Sequence, residues 1–402
     1  MQLPWLCWCF GLIFSCDFAI SANVATYTDG KTKALRIFSP GYFKFKCYHI
    51  KGVSMMHKIT ERVKEMALCL GAAAVGIATN ETLAGGPPSV DLTYVLPEAT
   101  SAVSFLVPLD QRYIEPYLGK KDRRSYERDN VRTNTLVSGI SLEIACYLKQ
   151  KGYPSAAQAA NLVYRTDTHN GPHDEKPPIS HRYLAVRSGS GHFGLSGNVI
   201  TKDFGAAVIL GSVVTTAELI PTDPLPEKAN YCDGCRLCMA SCASGFMSSD
   251  DMTTVRMGGY EFSYSKRRHH NRCDYVCGGF TGLHKSGEWS TWAPGRFPIP
   301  DKEEDFLPAI VEAAAAYTKR PETQGGFFHF LMPGNKINFT CNNCSLVCHP
   351  DKEIRKQRYK ILTQSGVVVE RPDGSLEAVS PEEATNRLEA MPPDQRALYE
   401  NL

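Results

Sequence analysis

Four closely spaced cysteines constrain this chain more than any other feature. They lie in the stretch YCDGCRLCMASCASG, residues 231–245, with the spacing C-x2-C-x2-C-x3-C. Iron–sulfur clusters, zinc ions and disulfide sets all use cysteines at short intervals. Each of these sites requires the local chain to turn tightly, so the chemistry of the stretch decides how this part of the protein can fold.

The spacing within the run distinguishes these kinds of site. Zinc sites commonly combine C-x2-C pairs that a longer spacer separates. Three cysteines at successive x2 gaps and a fourth at x3 match the ferredoxin-type run, in which three thiolates bind one 4Fe–4S cluster and the fourth binds another. The proline that usually follows the fourth cysteine is replaced by Ala243, which removes no ligand. The run therefore predicts iron–sulfur clusters, with zinc and disulfides as the weaker interpretations.

A second cysteine run, CNNCSLVCHP, supplies the partner that a two-cluster site requires. The crossover between the runs predicts ligands for each cluster. The first cluster is predicted to be bound by Cys232, Cys235, Cys238 and Cys348. The second is predicted to be bound by Cys242, Cys341 and Cys344, with either Cys273 or Cys277 as the remaining thiolate.

The cysteine count and the net charge limit the classes of protein to which this chain can belong. Nine of the fifteen cysteines lie between positions 232 and 348, which indicates metal ligation in a reducing compartment. The formal net charge of +2 is too small to attract nucleic acid or an anionic membrane over a long range. No run after residue 54 is long and apolar enough to span a bilayer, so we expect no stable membrane association.

The first 54 residues are expected to be an upstream extension or a mis-assigned start. Their apolar beginning lacks the basic region of a signal peptide and the twin-arginine pair that exports folded metalloproteins. Helical periodicity starts only after Met55 and Met56. A signal, an anchor and a folded segment are the weaker alternatives, and the prediction is a cytoplasmic protein.

Hydrophobic patterns divide the remaining chain into three predicted parts. In the first, residues 55–225, HKITERVKEMALCLGAA and NTLVSGISLEIACYLKQKGY have helical spacing, and SAVSFLVPL and FGAAVILGSVVTTAEL resemble buried strands. This mixture predicts an α+β domain. The second part, 226–360, contains the cysteine runs and a long insert between them. The third, 361–402, is predicted to be a helical tail.

The order of these motifs resembles the epoxyqueuosine reductase and reductive dehalogenase superfamily. The resemblance covers roughly residues 56–350 and is carried by PISHRYLAVRSGSGHFGLSGNVIT, GSVVTT and the cysteine runs. It implies a nitroreductase-like cobalamin-binding domain joined to a ferredoxin-like domain with two 4Fe–4S clusters. The clusters would pass electrons to the corrinoid in a reductive reaction. The Arg-Cys pair in HNRC also resembles the family's fourth ligand, which favours Cys273 over Cys277.

The resemblance further implies site residues and partners. Gly189, Gly191, Gly194 and Gly197 are placed where the family lets its backbone approach the corrinoid. Glu175, with Asp174 beside it, is placed as the proton donor, whose pKa would be raised by shielding from water. The implied substrate is a small molecule or a modified nucleoside. The implied electron donor is a low-potential protein such as a ferredoxin or a flavodoxin.

Two other functional classes compete with a corrinoid reductase. The chain could be a ferredoxin-type electron carrier without corrinoid chemistry, or its clusters could be structural parts of a nucleic-acid-binding protein. The balanced charge disfavours the latter. The insert between the runs contains Trp289, Trp292 and Phe297 and the basic stretch from Lys266 to His270. It is interpreted either as a packed cover over the clusters or as a wall of the substrate site.

Overall fold

A computed structural model describes most of the chain after residue 54. The described residues are 55–160, 163–174, 176–322, 325–328 and 336–401. Residues 1–54, predicted to be an extension or mis-assigned start, and Glu175, predicted to be a proton donor, lie outside them. Gly52–Leu402 form one compact unit, within which the predicted boundaries at 225 and 360 stay predictions.

The described chain mixes helices and strands, which confirms the α+β class. The helices are α1 (Met55–Cys69), α2 (Asn80–Leu83), α3 (Ile114–Leu118), α4 (Arg124–Gln150), α5 (His181–Arg187), α6 (Leu237–Ala240), α7 (Asn271–Cys277), α8 (Phe306–Tyr317), α9 (Asn343–Leu346), α10 (Lys352–Thr363), α11 (Pro381–Glu389) and α12 (Pro393–Arg396). The strands are β1 (Ala74–Thr79), β2 (Ser101–Pro108), β3 (Ser155–Gln158), β4 (His192–Phe193), β5 (Val199–Ile200), β6 (Val208–Thr215), β7 (Met247–Met257), β8 (Tyr260–Arg267), β9 (Phe327–Phe328), β10 (Lys336–Ile337), β11 (Val367–Glu370) and β12 (Leu376–Val379).

An antiparallel sheet with the strand order β1-β2-β6-β3 is the centre of the fold. β2 and β6 pair over their full length, from Ser101 opposite Thr215 to Pro108 opposite Val208. The two strands are almost continuously apolar because helices cover both faces of the sheet. This explains why the sequence shows unbroken hydrophobic runs here rather than alternation.

The two faces of the sheet belong to separate hydrophobic clusters. The long helix α4 buries Val137, Ile140, Ile144 and Leu148, whose spacing forms one stripe along the helix. That stripe shares a cluster with Val103, Phe105 and Val213 of the sheet. On the other face, Leu184 and Ala185 of α5 share a cluster with Ala102 and Val214. Successive strand residues thus point to opposite faces.

The cysteine-bearing half of the chain shares the main core instead of packing as a separate body. Trp289, Trp292, Leu346 and Leu362 are buried in the same cluster as Phe105 of the central sheet. A smaller cluster around Tyr275, Phe280 and Phe306 packs α7 against α8. The shared core fixes the cysteine loops relative to the sheet.

In the portion of the chain with described structure, none of the helices has the length and apolar character needed to cross a bilayer. The longest, α4, carries charged residues along its exposed face.

Candidate functional site

The first predicted set of thiols lies around one small cavity. Cys232, Cys235, Cys238 and Cys348 all line it. Cys232 and Cys235 come from the loop that leads into α6, Cys238 lies in α6, and Cys348 follows α9. Two left-handed residues in the loop, Gly234 with φ 70° and Arg236 with φ 60°, make the tight turns that bring the first three sulfurs together. A short C-x2-C-x2-C spacing can reach one cavity only with such turns.

Hydrogen-bond donors approach the sulfurs of this first set. The Leu195 backbone N–H donates to Cys232 Sγ at 3.3 Å. The Tyr231 hydroxyl lies 3.2 Å from Cys348 Sγ and can donate to it as a thiolate. Burial, followed by neighbouring sulfurs, raises the pKa of Cys238, and burial raises the pKa of Cys348 to about 11. The thiols would therefore be protonated at neutral pH unless metal cations stabilise the thiolates.

The second predicted set meets beside the first. Burial raises the pKa of Cys341 well above its usual range, and the sulfurs of Cys273, Cys344 and Cys242 raise it further. Burial also raises the pKa of Cys344 to about 12, again with contributions from Cys242 and Cys273. The three thiols predicted from the crossover of the two runs and the thiol of Cys273 therefore lie close enough to interact electrostatically. Cys242 and Cys341, which are 99 positions apart in sequence, are brought close to each other here.

Cys277 is close to the second set but interacts with fewer of its members. The largest influence on its thiol is a hydrogen bond with Cys273, and Cys341 contributes more weakly. The sulfurs that act on both Cys341 and Cys344 are those of Cys242 and Cys273. This pattern favours Cys273 as the fourth ligand, which stays a prediction.

The arrangement of the first set of thiols is compatible with a cluster. The thiolates of a 4Fe–4S cluster bind different irons, so they need to surround a volume and not a point. A cavity lined by four thiols, with N–H and O–H donors to sulfur, meets that requirement for the first set.

A larger cleft of about 360 Å³ lies beside the glycine-rich turn and β6 and extends to Ser345, the neighbour of Cys344. Its lining includes Asn198, Arg182, Arg267 and His270. The Asn198 side-chain amide donates to Ser345 Oγ at 3.1 Å and lies 3.7 Å from Cys344 Sγ. One side chain thus contacts both the cleft and a predicted cluster ligand.

Arginine side chains give the cleft a cationic wall. Arg267 Nε donates to the Ser196 carbonyl at 3.0 Å, and its Nη2 donates to Asn198 Oδ1 at 2.5 Å. Burial and the neighbouring Arg182 lower the pKa of Arg267 to about 9. Arg182 Nη1 donates to the Gly197 carbonyl at 2.7 Å. The arginines hold the turn and present positive charge to the cleft.

The basic stretch of the insert and its aromatic residues have different positions. Arg267 and His270 line the cleft, as the substrate-wall interpretation predicts. Trp289, Trp292 and Phe297 are buried, as the packed-cover interpretation predicts. Each interpretation therefore describes one part of the insert.

Asp174, one of the two predicted proton donors, lies in the segment between two parts of the cleft lining. Tyr164 and Pro177, on either side of this segment, belong to the lining. The Asn170 side chain and backbone N–H donate to the Asp174 carboxylate, and these bonds lower the pKa of Asp174 to about 2. That direction is opposite to the raised pKa expected for a proton donor, so Asp174 is ionised in this arrangement. Its catalytic role stays a prediction, and Glu175 lies outside the described residues.

His181 is a titratable residue of the cleft that was not predicted from the sequence to be a site residue. Its Nε2 lies 2.9 Å from the Ala159 carbonyl, so the proton is on Nε2, and Nδ1 accepts from Ser212 Oγ at 2.8 Å. Burial lowers the pKa of His181. A neutral histidine with both nitrogens engaged supports β6 and is poorly placed to donate a proton.

The four glycines predicted to approach a corrinoid are each required by the protein's own packing. A Cβ at Gly189 would lie 2.4 Å from the Asp223 carbonyl oxygen, and one at Gly191 would lie 2.6 Å from Val199 Cγ1. At Gly194 it would meet Ile200 Cγ2 at 3.0 Å. At Gly197 it would meet Tyr264 Cδ2 at 2.7 Å. The packing accounts for these glycines, and corrinoid contact stays a prediction.

Gly197→Ala is expected to lower the free energy of unfolding by about 1–3 kcal/mol. Gly197 has φ +72°, and a Cβ would also lie 2.9 Å from Arg267 Nε. Urea unfolding of the variant beside the wild type measures the effect. Gly139→Ala is the matched control, because Gly139 is helical with no atom within 4 Å of its Cβ position, so that change should stabilise by about 0.5–1 kcal/mol. Equal stability of the two variants would contradict the strain at Gly197.

Comparison with known proteins agrees with the motifs. An epoxyqueuosine reductase of Atelocyanobacterium thalassa (isolate ALOHA) is 26% identical over 200 residues, 48% of this chain and 58% of that protein. The epoxyqueuosine reductase of Synechocystis sp. is 28% identical over 174 residues, 42% of this chain and 53% of that protein. The matches thus span little more than half the length of these curated relatives. No family model matches the chain.

Solved structures overlap with the chain more loosely. The catabolic reductive dehalogenase NpRdhA aligns with a TM-score of 0.45 and 14% identity over 86% of this chain and 38% of its own. Structural overlap at this level does not establish a relationship. The sequence matches confirm the resemblance that the cysteine runs and the glycine-rich block indicate. This chain is a sequence relative of the epoxyqueuosine reductases.

Proposed function

We propose that this chain is a cobalamin-dependent reductase with two 4Fe–4S clusters. One observation carries the proposal: the Asn198 side chain contacts Cys344 Sγ and also lines the 360 Å³ cleft. A cofactor in the cleft would lie beside the second cluster, at a separation suited to electron transfer. The sequence similarity to epoxyqueuosine reductases supports the same assignment.

The chain's own residues have three tasks in this proposal. Two sets of thiols, most of them partly buried, bind the clusters. Arg267 and Asn198 fix the glycine-rich turn against the second set. The cleft between this turn and β6 holds the corrinoid, which when bound would supply a cobalt centre that takes up electrons singly and reduces an organic substrate.

The reaction also needs a proton, and the segment that contains Asp174 is the proposed source. Glu175 is proposed as the donor, with Asp174 next to it. Asp174 is ionised where its Asn170 contacts hold it, so a donor role for Asp174 requires this segment to rearrange when the cleft is filled. Shielding from water by the cofactor would then raise the pKa of a carboxyl group in this segment.

The remaining parts of the proposal concern partners. The substrate is a small molecule or a modified nucleoside, and the similarity to epoxyqueuosine reductases favours the nucleoside. A ferredoxin or flavodoxin supplies the electrons. Oxygen-sensitive clusters require a reducing compartment, so the proposed location is the cytoplasm.

Anaerobic reconstitution tests the function directly. The purified chain is expected to carry about eight iron and eight sulfide, as two four-iron clusters require. Added cobalamin should bind at about one per chain and show a changed visible spectrum. Eight irons without cobalamin binding would support the alternative, an electron carrier that lacks corrinoid chemistry. Four irons, or zinc in place of iron, would contradict the ligand assignment.

A further inference from the structure

A buried lysine lies in the turn after α3, beside the second set of thiols. Lys120 is only 9% exposed. Its backbone is left-handed, with φ 56°, although its side chain makes this conformation unfavourable. Glycine or asparagine would satisfy the turn at a lower energetic cost. The backbone therefore gives no reason for a lysine at this position.

The ammonium group of Lys120 has no carboxylate partner among the described residues. Lys120 Nζ donates one hydrogen bond, to the Leu118 carbonyl at 3.2 Å, and lies 5.9 Å from the centre of the Trp292 ring. By contrast, the nearby buried Arg123 pairs with Glu127 at 2.9 Å. Burial of an unpaired cation is costly, so the charged form of Lys120 is favoured only where a negative charge lies nearby.

Burial lowers the pKa of Lys120 to about 7, and the nearby sulfur of Cys341 opposes this shift. A cluster bound by four thiolates carries a net negative charge, and reduction adds one more electron to it. Buried positive charge close to a cluster stabilises its reduced form, since net charge and surroundings set its reduction potential. The missing partner of Lys120 is thus the group that the second set of thiols is suited to bind.

The position of Lys120 relative to Cys341 is fixed by Trp292. The indole Nε1 of Trp292 donates to the Tyr117 carbonyl at 3.0 Å, in the helix that precedes Lys120. The Trp292 backbone N–H donates to the carbonyl of Thr340, next to Cys341, at 2.9 Å. One buried residue therefore connects the lysine turn to the cysteine loop.

The two sets of thiols differ in their nearby cations. Arg355 acts on Cys348 of the first set, but its guanidinium is paired with Asp233 at 2.6 Å. The second set has Lys120 without a carboxylate partner, and Arg267 acts on Cys344 from the cleft side. The buried Arg358 also interacts with Cys348, and its guanidinium donates to the Leu346 carbonyl and to Gln111. Each set therefore has buried positive charge nearby, and Lys120 supplies it beside Cys341 of the second set.

We propose that Lys120 is a positioning residue whose buried ammonium raises the reduction potential of the second cluster. The inference rests on the proposed function, because it requires a cluster at Cys242, Cys273, Cys341 and Cys344. A ferredoxin-class donor supplies one electron, which the cluster accepts, and no bond or proton is exchanged. An electron therefore resides on the second cluster before it is transferred to the cofactor in the cleft.

The test is a redox titration of the reconstituted protein, followed by the electron paramagnetic resonance signals of both clusters. Lys120→Met removes the charge and keeps most of the side-chain length. One of the two midpoint potentials is expected to fall by about 59 mV, a tenfold weaker preference for the reduced form, while the other stays unchanged. The control is Lys121→Met, which removes an exposed positive charge from the adjacent position.

The outcomes distinguish an effect of the Lys120 charge from an effect of its side-chain shape. An unchanged pair of potentials in Lys120→Met with full iron content, or an equal shift in Lys121→Met, would overturn the inference. If Lys120→Met and Lys120→Gln both lose the second cluster and Lys120→Arg keeps it, the requirement for charge is supported. Loss of the cluster from all three variants would show that side-chain shape is required and overturn it. A wild-type chain that binds no clusters would instead overturn the proposed function.

Discussion

Cys273→Ala is expected to remove about half of the iron from the reconstituted protein, from about eight atoms per chain to about four. Cys273 acts on both Cys341 and Cys344, so its thiolate is placed to complete the second set. The first set should keep its cluster, because Cys232, Cys235, Cys238 and Cys348 surround a separate cavity. Iron and sulfide analysis and the electron paramagnetic resonance spectrum of the reduced protein measure the result.

Cys277→Ala is the matched control for this experiment. Both cysteines lie in α7 and both are partly buried, so a general loss of helix packing would affect both variants. The control is expected to keep about eight irons. If Cys277→Ala loses four irons and Cys273→Ala keeps eight, the two assignments must be exchanged. If both variants keep eight, the fourth ligand lies elsewhere.

Glu127→Ala is expected to lower the free energy of unfolding by about 3–5 kcal/mol, the usual cost of breaking a buried ion pair from one side. Its side chain is 5% exposed, and Oε2 accepts from Arg123 Nη1 at 2.9 Å. Its other oxygen accepts from the backbone N–H groups of Gly326 at 3.1 Å and Phe339 at 3.0 Å. The carboxylate thus neutralises a buried arginine and also holds the chain that leads into Cys341.

The same variant should lose iron from the second set, since the segment before Cys341 loses its anchor on α4. Chemical unfolding and iron analysis of the same preparation measure both effects. Glu143→Ala is the control on the same helix, because Glu143 is exposed, and its effect should stay within about 0.5 kcal/mol. A loss of stability below about 1 kcal/mol in Glu127→Ala would show that the pair is unimportant for folding.

Local features of the fold could be predicted from the sequence because they depend on neighbours along the chain. The stripe Val137, Ile140, Ile144 and Leu148 marks α4, and the unbroken apolar runs mark β2 and β6. The left-handed Gly152 follows the end of α4, where a helix-ending glycine is predicted. The C-x2-C-x2-C spacing likewise predicts that three sulfurs reach one cavity, because only two residues separate each pair.

Other predictions from the sequence had no local information to constrain them. Corrinoid contact of the glycine-rich turn stays a prediction, and the atoms next to the Cβ positions come from distant residues such as Asp223 and Tyr264. The expected rise in the Asp174 pKa depended on shielding from water, whereas its Asn170 contacts lower the pKa. Close packing and solvation of this kind depend on the surrounding surface and not on the type of residue.

The sequence by itself determined the thiol inventory, the α+β class and the relationship to epoxyqueuosine reductases, because spacing and hydrophobic period are properties of the local chain. Only the tertiary structure decided which charges are buried and what they face. Lys120 and Lys121 are adjacent and chemically identical, yet one is buried near Cys341 and the other is exposed. Glu127 and Phe339 meet across 212 positions of sequence. Desolvation and charge pairing depend on such long-range contacts, and no local pattern encodes them.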